Sequence, residues 1–378
     1  MKIGIYPAAL YVYGGGEKYI GKIAETLSRE NDVVFIVFRE PNLKELETRL
    51  GINLSRVSID AIGKARGLAL FVRNKLPSVI AVSDTYTLSK CTKKYDLFIN
   101  QEHDTFVSSH ARRSFLICEV PPVRRFNRTT FLKRLFFDPK LKTYDQIVVN
   151  SHFTRKWAEK YYRRDATVLY PAIDTESLVP SAKENIILSV GRFCTALHCK
   201  KQLEMVRSFK KLYTEQSLQG WTYHLVGGLG DVPQDRGYLE GCIAEGKGYP
   251  IYFHVNAPLD RLKELYGKAK IFWHATGLGE NENKYPERME HFGMTTVEAM
   301  SAGCVPVVIN KGGQPEIVES GLGGFLFETI KELNEHTIRL INDDALLKKM
   351  SERCMERSIE FSLGKFEARV KEIFGIRI

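Results

Sequence analysis

Residues 290–317 read EHFGMTTVEAMSAGCVPVVINKGGQPEI. Two glutamates, Glu290 and Glu298, stand with seven residues between them. Phe292-Gly293 forms a turn after the first. Thr295 or Thr296 can cap a short helix running through Met300, which Gly303 ends. Val305 to Ile309 reads as a buried strand, and Gly312-Gly313 follows it. Loop, helix start, strand and Gly loop are the parts of an anion site, because the free N–H groups and dipole of a helix start favour a phosphate. Glu298, in the first turns of the helix, can accept two hydrogen bonds from a vicinal diol such as a ribose. Glu290 precedes the turn, so it can reach a group on the far side of that phosphate. The spacing alone would equally suit two solvated glutamates; the joined pattern is what is specific.

The chain around this stretch has 378 residues, too many for one ordinary core and suited to two α/β domains. With 44% apolar and 26% charged residues it is an ordinary globular sequence. No run approaches the roughly 20 apolar residues of a membrane span. The N-terminus, MKIGIYPAAL, enters a strand pattern directly and lacks the features of a signal peptide. Seven cysteines without a C-x-x-C pair point to free thiols in a reducing compartment. Cys194, Cys199 and His198 fit no zinc spacing well. The net charge of +10 is uneven: residues 1–170 hold 29 Lys+Arg against 17 Asp+Glu, and residues 171–378 hold 26 against 28. A basic first half predicts an anionic partner there, with nucleic acid, an anionic membrane surface and a phosphorylated carrier all fitting.

Lys2 to Pro7 reads as a strand. Gly14-Gly15-Gly16-Glu17, an amphipathic helix over 18–29 and a strand over 33–38 complete a βαβ unit. The loop is not the G-x-G-x-x-G fingerprint, which disfavours a dehydrogenase. Further on, a helix over 43–50, a strand near 56–59 and a helix near 65–75 are expected. Tyr95 to Asn100 is a strand leading into Gln101-Glu102-His103-Asp104. In open α/β sheets ligands bind outside the carboxyl ends of strands, so His103 and Asp104 are cleft candidates. Phe115 to Pro122 is another strand. Residues 124–142, RRFNRTTFLKRLFFDPKLK, interleave seven Lys/Arg with four Phe and three Leu. That mixture suits a membrane interface or a lipid-linked acceptor, and equally a helix with an apolar inner face; no recognised motif supports single-stranded nucleic acid. Ser151 caps a helix over 151–162, and the domain boundary falls near 171–180.

In the second half, strands are expected over 184–190, 221–230, 251–255 and 271–275, alternating with helices over 200–213 and 258–268, which indicates a second parallel sheet. Gly191-Arg192 ends the first of these strands, and Lys200-Lys201-Gln202 opens a helix. Two fixed cations there suit a diphosphate leaving group. The long polar loop over 277–289 is of functional length.

The E-x7-E stretch, the AMSAG helix and the VPVV strand resemble the retaining glycosyltransferases of family 4, which have the GT-B fold. VVNSHFTRK and VLYPAIDT resemble that family's link between its halves. GRFCTALHCKKQLEM and EHFGMTTVEAM look most like mannosyltransferases of lipid-linked oligosaccharide assembly. The resemblance implies two Rossmann-like domains facing across a cleft: 1–172 for the acceptor, with a last helix over about 361–378 packing back on it, and 173–360 for the donor. It implies transfer of a hexose, with mannose favoured, from a nucleotide-diphosphate sugar to a glycan or lipid-linked hydroxyl, with retention. GDP-mannose is favoured over a UDP-sugar. In catalysis the resemblance implicates Glu290, Arg192 and Lys201, the last preferred over Lys200. For the donor it implicates Gly14, Gly15, Gly16, Arg192, Lys200, Lys201, Val255, Asn256, Phe292, Gly293, Met294, Thr295 and Glu298. The family's histidine at the end of an aromatic-rich strand is replaced here by Glu119, which is expected to serve the acceptor, unless His103 has taken that role.

No metal or other cofactor is expected, since fixed cations replace it and no D-x-D motif stands where one would. The chain is expected in the cytoplasm, peripheral at the cytoplasmic face of an anionic membrane through residues 124–142, with no nucleic-acid partner. Two other classes share some of these features. A nucleotide-sugar epimerase or hydrolase of the same fold would consume donor without acceptor. A basic membrane- or nucleic-acid-binding protein would ignore nucleotide sugars.

Overall fold

The computed structural model describes residues 1–375 except 8–9, 11–13, 63–76, 103–104, 106, 123–138, 196–197, 216 and 231. Its contacts divide the chain into two units, Met1–Tyr170 with Phe366–Ile378, and Pro171–Lys365.

The first unit holds a seven-stranded sheet. Its strands are β1 (Lys2–Tyr6), β2 (Asp32–Val37), β3 (Val57–Ala61), β4 (Leu97–Asn100), β5 (Arg113–Cys118), β6 (Gln146–Val149) and β7 (Ala166–Val168). The spatial order is β3-β2-β1-β4-β5-β6-β7, and every pair is parallel. Parallel strands covered on both faces need near-continuous apolar runs, and β2 (DVVFIV) and β4 (LFIN) supply them with almost fully buried side chains. The order reverses between β1 and β4, so the loops after these two strands open at a switch point. The helix Leu363–Phe374 is stitched to this unit. Phe374 packs edge-on against Phe115 at 4.7 Å, and both terminal guanidinium nitrogens of Arg29 donate to Glu367 at 2.7 Å.

The second unit holds β8 (Glu184–Val190), β9 (Thr222–Gly227), β10 (Ile251–Val255), β11 (Ala269–His274), β12 (Val305–Ile309) and β13 (Phe325–Phe327). The order is β10-β9-β8-β11-β12-β13, all parallel, with its reversal between β8 and β11. Phe209 stacks on Tyr223, which packs at a tilt against Trp273 at its centre, and the two polar atoms this cluster buries are satisfied: Tyr223 Oη by Ser189 at 2.9 Å, Trp273 Nε1 by Thr337 at 3.0 Å. Both units are thus doubly wound α/β sheets, as the alternation of strand and helix patterns predicts.

Local detail differs from the sequence-based expectation in two added helices and one cap. The helix near 65–75 lies outside the described residues. A helix at Pro77–Cys91 is present that the apolar pattern does not reveal, and so is one at Pro233–Gly246, where Gly237, Gly241 and Gly246 break up any stripe. The helix after Glu290 spans Met294–Ser301, and its N-cap is Gly293 at φ +118°, not Thr295 or Thr296. A threonine cap needs extended backbone at the cap position, and here the chain turns through a conformation open mainly to glycine.

Candidate active site

The switch point of the second unit gathers the charged residues. Arg192 follows β8, His274 ends β11, and Glu290 precedes the helix Met294–Ser301. Lys200 Nζ donates to Glu290 Oε2 at 2.6 Å, and His274 Nε2 lies 2.9 Å from the same oxygen. Burial opposes charge on Glu290, but the Lys200 ammonium and the His274 bond outweigh it and hold the carboxyl well below its ordinary range. His274 is 2% exposed, and burial lowers its pKa, so it is neutral at physiological pH. His198 and His291 meet edge-on at 4.3 Å nearby, and burial lowers both. A small cavity with room for about one water lies behind Lys200 and His274, bordered by Ser189, Gly191, Gln202 and Trp273.

The backbone at Glu290 is fixed by the glycine pair downstream. Gly313 N donates to Glu290 O at 2.7 Å. Gly312 has φ +64°, and a Cβ there would stand 2.1 Å from Glu290 O. No other residue fits this approach, so Gly312-Gly313 acts as the floor under Glu290.

Glu298 accepts from the buried Tyr266 hydroxyl at 3.0 Å. Thr296 and Val297 N–H groups close on Gly293 O, while those of Met294 and Thr295 come before the first intrahelical bonds. Phe292 is buried against Phe361, so only its backbone faces outward chemistry. Lys200 rather than Lys201 meets Glu290. Lys201 has left-handed backbone at φ +57° and pairs with Glu280 at 3.2 Å, which Arg288 also holds at 3.0 Å. Arg192 is exposed and pairs with no described residue, with Gly228 and Asn256 beside it. Asn256, at φ +52°, spends its side-chain oxygen on Leu229 N at 3.0 Å, and Val255 ends β10. Cys194 turns to the His198 carbonyl and Cys199 to the Tyr238 hydroxyl, so the two thiols do not converge.

The first unit forms a second polar cluster at its own switch point. Gly14 caps the helix Gly15–Ser28, and its N–H donates to Glu17 Oε2 at 2.8 Å. Gln101 Nε2 donates to Gly16 O at 2.9 Å and to Glu119 Oε1 at 2.6 Å. A side chain at Gly16 would meet Glu119 Oε2 at 3.2 Å. Burial, helped by the nearby Glu17, pushes the Glu119 carboxyl up to about 8 against the Gln101 bond. Glu119 is therefore mostly protonated at neutral pH and can donate as well as accept. His103 and Asp104 lie outside the described residues, as does most of the 124–142 segment.

Residues 173–357 match the family described as glycosyl transferases group 1. The chain carries a group 1 glycosyltransferase domain. Its curated relatives agree. It is 26% identical over 305 residues to the alpha-1,3/1,6-mannosyltransferase ALG2 of Dictyostelium discoideum, covering 68% of each chain. It is 24% identical to human ALG2, covering 64% of each, and 26% identical to the GDP-Man:Man(3)GlcNAc(2)-PP-Dol alpha-1,2-mannosyltransferase of Dictyostelium discoideum, covering 57% of this chain and 43% of that one. The enzyme is a glycosyltransferase. Among solved structures, a glycosyltransferase from Rickettsia africae ESF-5 superposes with a TM-score of 0.73 at 18% identity, covering 99% of this chain and 97% of that one. Anabaena Alr3699/HepE in complex with UDP and glucose gives 0.70 at 16%, covering 100% of both. These likenesses define the fold as GT-B. Among the described residues no helix is long and apolar enough to cross a membrane.

Sequence reasoning did not single out His274, Gln314 or Tyr266. A histidine ending the strand AKIFWH, directly after the apolar run IFW, was the available signal for the first.

Proposed function

We propose that this glycosyltransferase moves mannose from GDP-mannose to a hydroxyl of a lipid-linked glycan, with retention at the anomeric carbon. The observation that carries the reading is the carboxylate of Glu290, kept ionised at the carboxyl end of the sheet beside Lys200 and a helix start. A fixed carboxylate suits the hydroxyls of a sugar, and the neighbouring cations suit a leaving diphosphate. The names of the relatives favour mannose, and the third favours GDP as the base carrier.

In this mechanism Arg192, Lys200 and the N–H groups of Met294 and Thr295 hold the diphosphate and stabilise its charge as it leaves. Lys201 stays with Glu280 unless the donor draws it in. Glu298, oriented by Tyr266, accepts from the ribose hydroxyls. Glu290 orients the sugar through a hydroxyl. The acceptor oxygen attacks from the leaving-group side, the C–O bond to the diphosphate breaks, and the departing phosphate oxygen takes the acceptor's proton. Fixed cations perform the charge neutralisation that a metal performs elsewhere. Glu119, mostly protonated beside Gly16, hydrogen-bonds the acceptor. Contact with the cytoplasmic face of an anionic membrane through residues 124–142 would bring a lipid-linked acceptor to the enzyme.

The test is transfer itself. Purified protein is given GDP-mannose, UDP-glucose or UDP-N-acetylglucosamine with a lipid-linked chitobiose or mannosylated acceptor, without metal and then with it. Mannosylated product of α configuration from GDP-mannose supports the reading. Transfer from a UDP-sugar only, or donor hydrolysis that ignores the acceptor, overturns it.

A further inference from the structure

Two different donors hold one oxygen of Glu290. Lys200 Nζ is 2.6 Å from Oε2 and His274 Nε2 is 2.9 Å from it. They will not respond alike to a bound nucleotide. Lys200 sits at the end of a loop, just before the helix Gln202–Thr214, on a flexible four-carbon stem. A diphosphate carries more negative charge than a carboxylate, so it competes for that ammonium. His274 cannot follow, because its ring is sealed at the end of β11.

The ring's other nitrogen explains its orientation. Gln314 is fully buried, and its Nε2 lies 3.4 Å from His274 Nδ1. An amide nitrogen only donates, so Nδ1 is the acceptor and the proton sits on Nε2, facing Glu290. The reverse amide orientation would require a proton on Nδ1. It would then leave either an imidazolium in a buried site or an Nε2 lone pair that, even with the Thr276 hydroxyl 3.3 Å away, faces the Glu290 carboxylate at 2.9 Å. Burial disfavours the first and charge repulsion the second. Gln314 is itself confined by Gly293, where an added Cβ would stand 2.7 Å from its Nε2. The charged and titratable groups near the pair are Lys200, His198 and His291, and the two histidines are held neutral by burial.

We propose that His274, with its tautomer fixed by Gln314, is the positioning residue that holds Glu290 against the sugar once the donor's phosphates have drawn Lys200 away. The proposal rests on the reading of Glu290 as the residue that orients the sugar. It makes Gln314, His274 and Glu290 one chain of hydrogen bonds from the buried interior to the donor. Lys200 is then a shared cation, held on Glu290 in the resting enzyme and on the phosphate during turnover.

The variants are His274→Leu, which removes the donor, and His274→Gln, whose amide N–H can take the place of Nε2–H. Both are assayed with GDP-mannose and the lipid-linked acceptor from about pH 5 to about pH 8, with GDP affinity measured by calorimetry. In His274→Leu, kcat should fall about tenfold or more, the size of one lost hydrogen bond to a charged group. GDP affinity should stay within about threefold. The acid limb of kcat should move to higher pH, because Glu290 has lost a bond that favours its ionised form. His274→Gln should recover most of kcat and return the limb. A purely structural histidine would lower melting temperature and leave the limb where it was, and that result overturns the proposal. So does a His274→Gln variant as slow as His274→Leu. A failure of the donor reading looks different, since wild-type protein would then neither bind GDP nor turn over. The tautomer remains measurable there by ¹⁵N chemical shifts of the ligand-free protein: a neutral Nε2–H ring supports the chain of bonds, and an imidazolium or Nδ1–H ring contradicts it.

Discussion

Lys200 and Glu290, 90 residues apart in sequence, meet at 2.6 Å at the carboxyl end of the second sheet. Neither residue is more than one-fifth exposed, at 18% and 16%. A pair this sheltered is costly to break from one side, because the remaining charge loses its partner. It also places a cation and a carboxylate side by side, which a leaving phosphate and a sugar hydroxyl would separately engage.

Replacing Glu290 by Ala should cut turnover at least about tenfold, and Lys200→Ala should do the same while also weakening GDP affinity. Lys201→Ala should have the smaller effect, since that ammonium is engaged by Glu280. Steady-state kinetics with circular dichroism as the folding control decide the order. Equal losses at Lys200 and Lys201 would contradict the geometry.

Tyr266→Phe removes the hydroxyl that orients Glu298. The donor KM should rise several-fold with kcat little changed, and stability should fall by about 1 kcal/mol for the lost buried bond. Initial rates against donor concentration, together with urea unfolding, separate the two effects.

Glu119 gives a pH signature. Its folded pKa, near 8, lies above its unfolded value, so its protonated form is fully tolerated at acid pH and stability is lost as pH rises through the folded value. Glu119→Gln should therefore melt at nearly the wild-type temperature near pH 5 and a few degrees above it near pH 9. Glu290 has the opposite sign. Its depressed pKa adds stability above the ordinary carboxyl value, lost as pH falls through the folded one. Thermal melts of Glu290→Gln should differ from wild type at neutral pH and converge with it in strong acid.

Gly312→Ala should destabilise the second unit by about 2 kcal/mol or more, through a left-handed backbone and a clash with Glu290 O. Because the clash is with the backbone of Glu290, activity should fall further than the unfolded fraction accounts for. Activity per folded molecule, corrected by denaturant melts, tests this.

The sheets were legible because buried parallel strands are written as unbroken apolar runs, from KIGIY at 2–6 to VPVVI at 305–309. Glu290, Glu298, Arg192 and the lysine pair were legible because they sit at strand ends and a helix start, beside glycines. Which lysine meets Glu290 was not, because it depends on Lys201 taking left-handed backbone, for which non-glycine residues carry no sequence mark. The helix cap was misplaced for a related reason: two threonines outweigh one glycine by propensity, but the turn at Gly293 decides. His274 and Gln314 were hidden because a buried polar residue shows its purpose only through its partner, here contributed by a segment 40 residues away.

The most direct test of a nucleotide-sugar donor site built on these residues is calorimetric titration of GDP and UDP into wild-type protein and into Arg192→Ala and Glu298→Ala. Saturable binding of GDP, tighter than UDP and weakened about tenfold or more in each variant, is the result this site predicts. GDP binding that is absent, or equal in all three proteins, would contradict it.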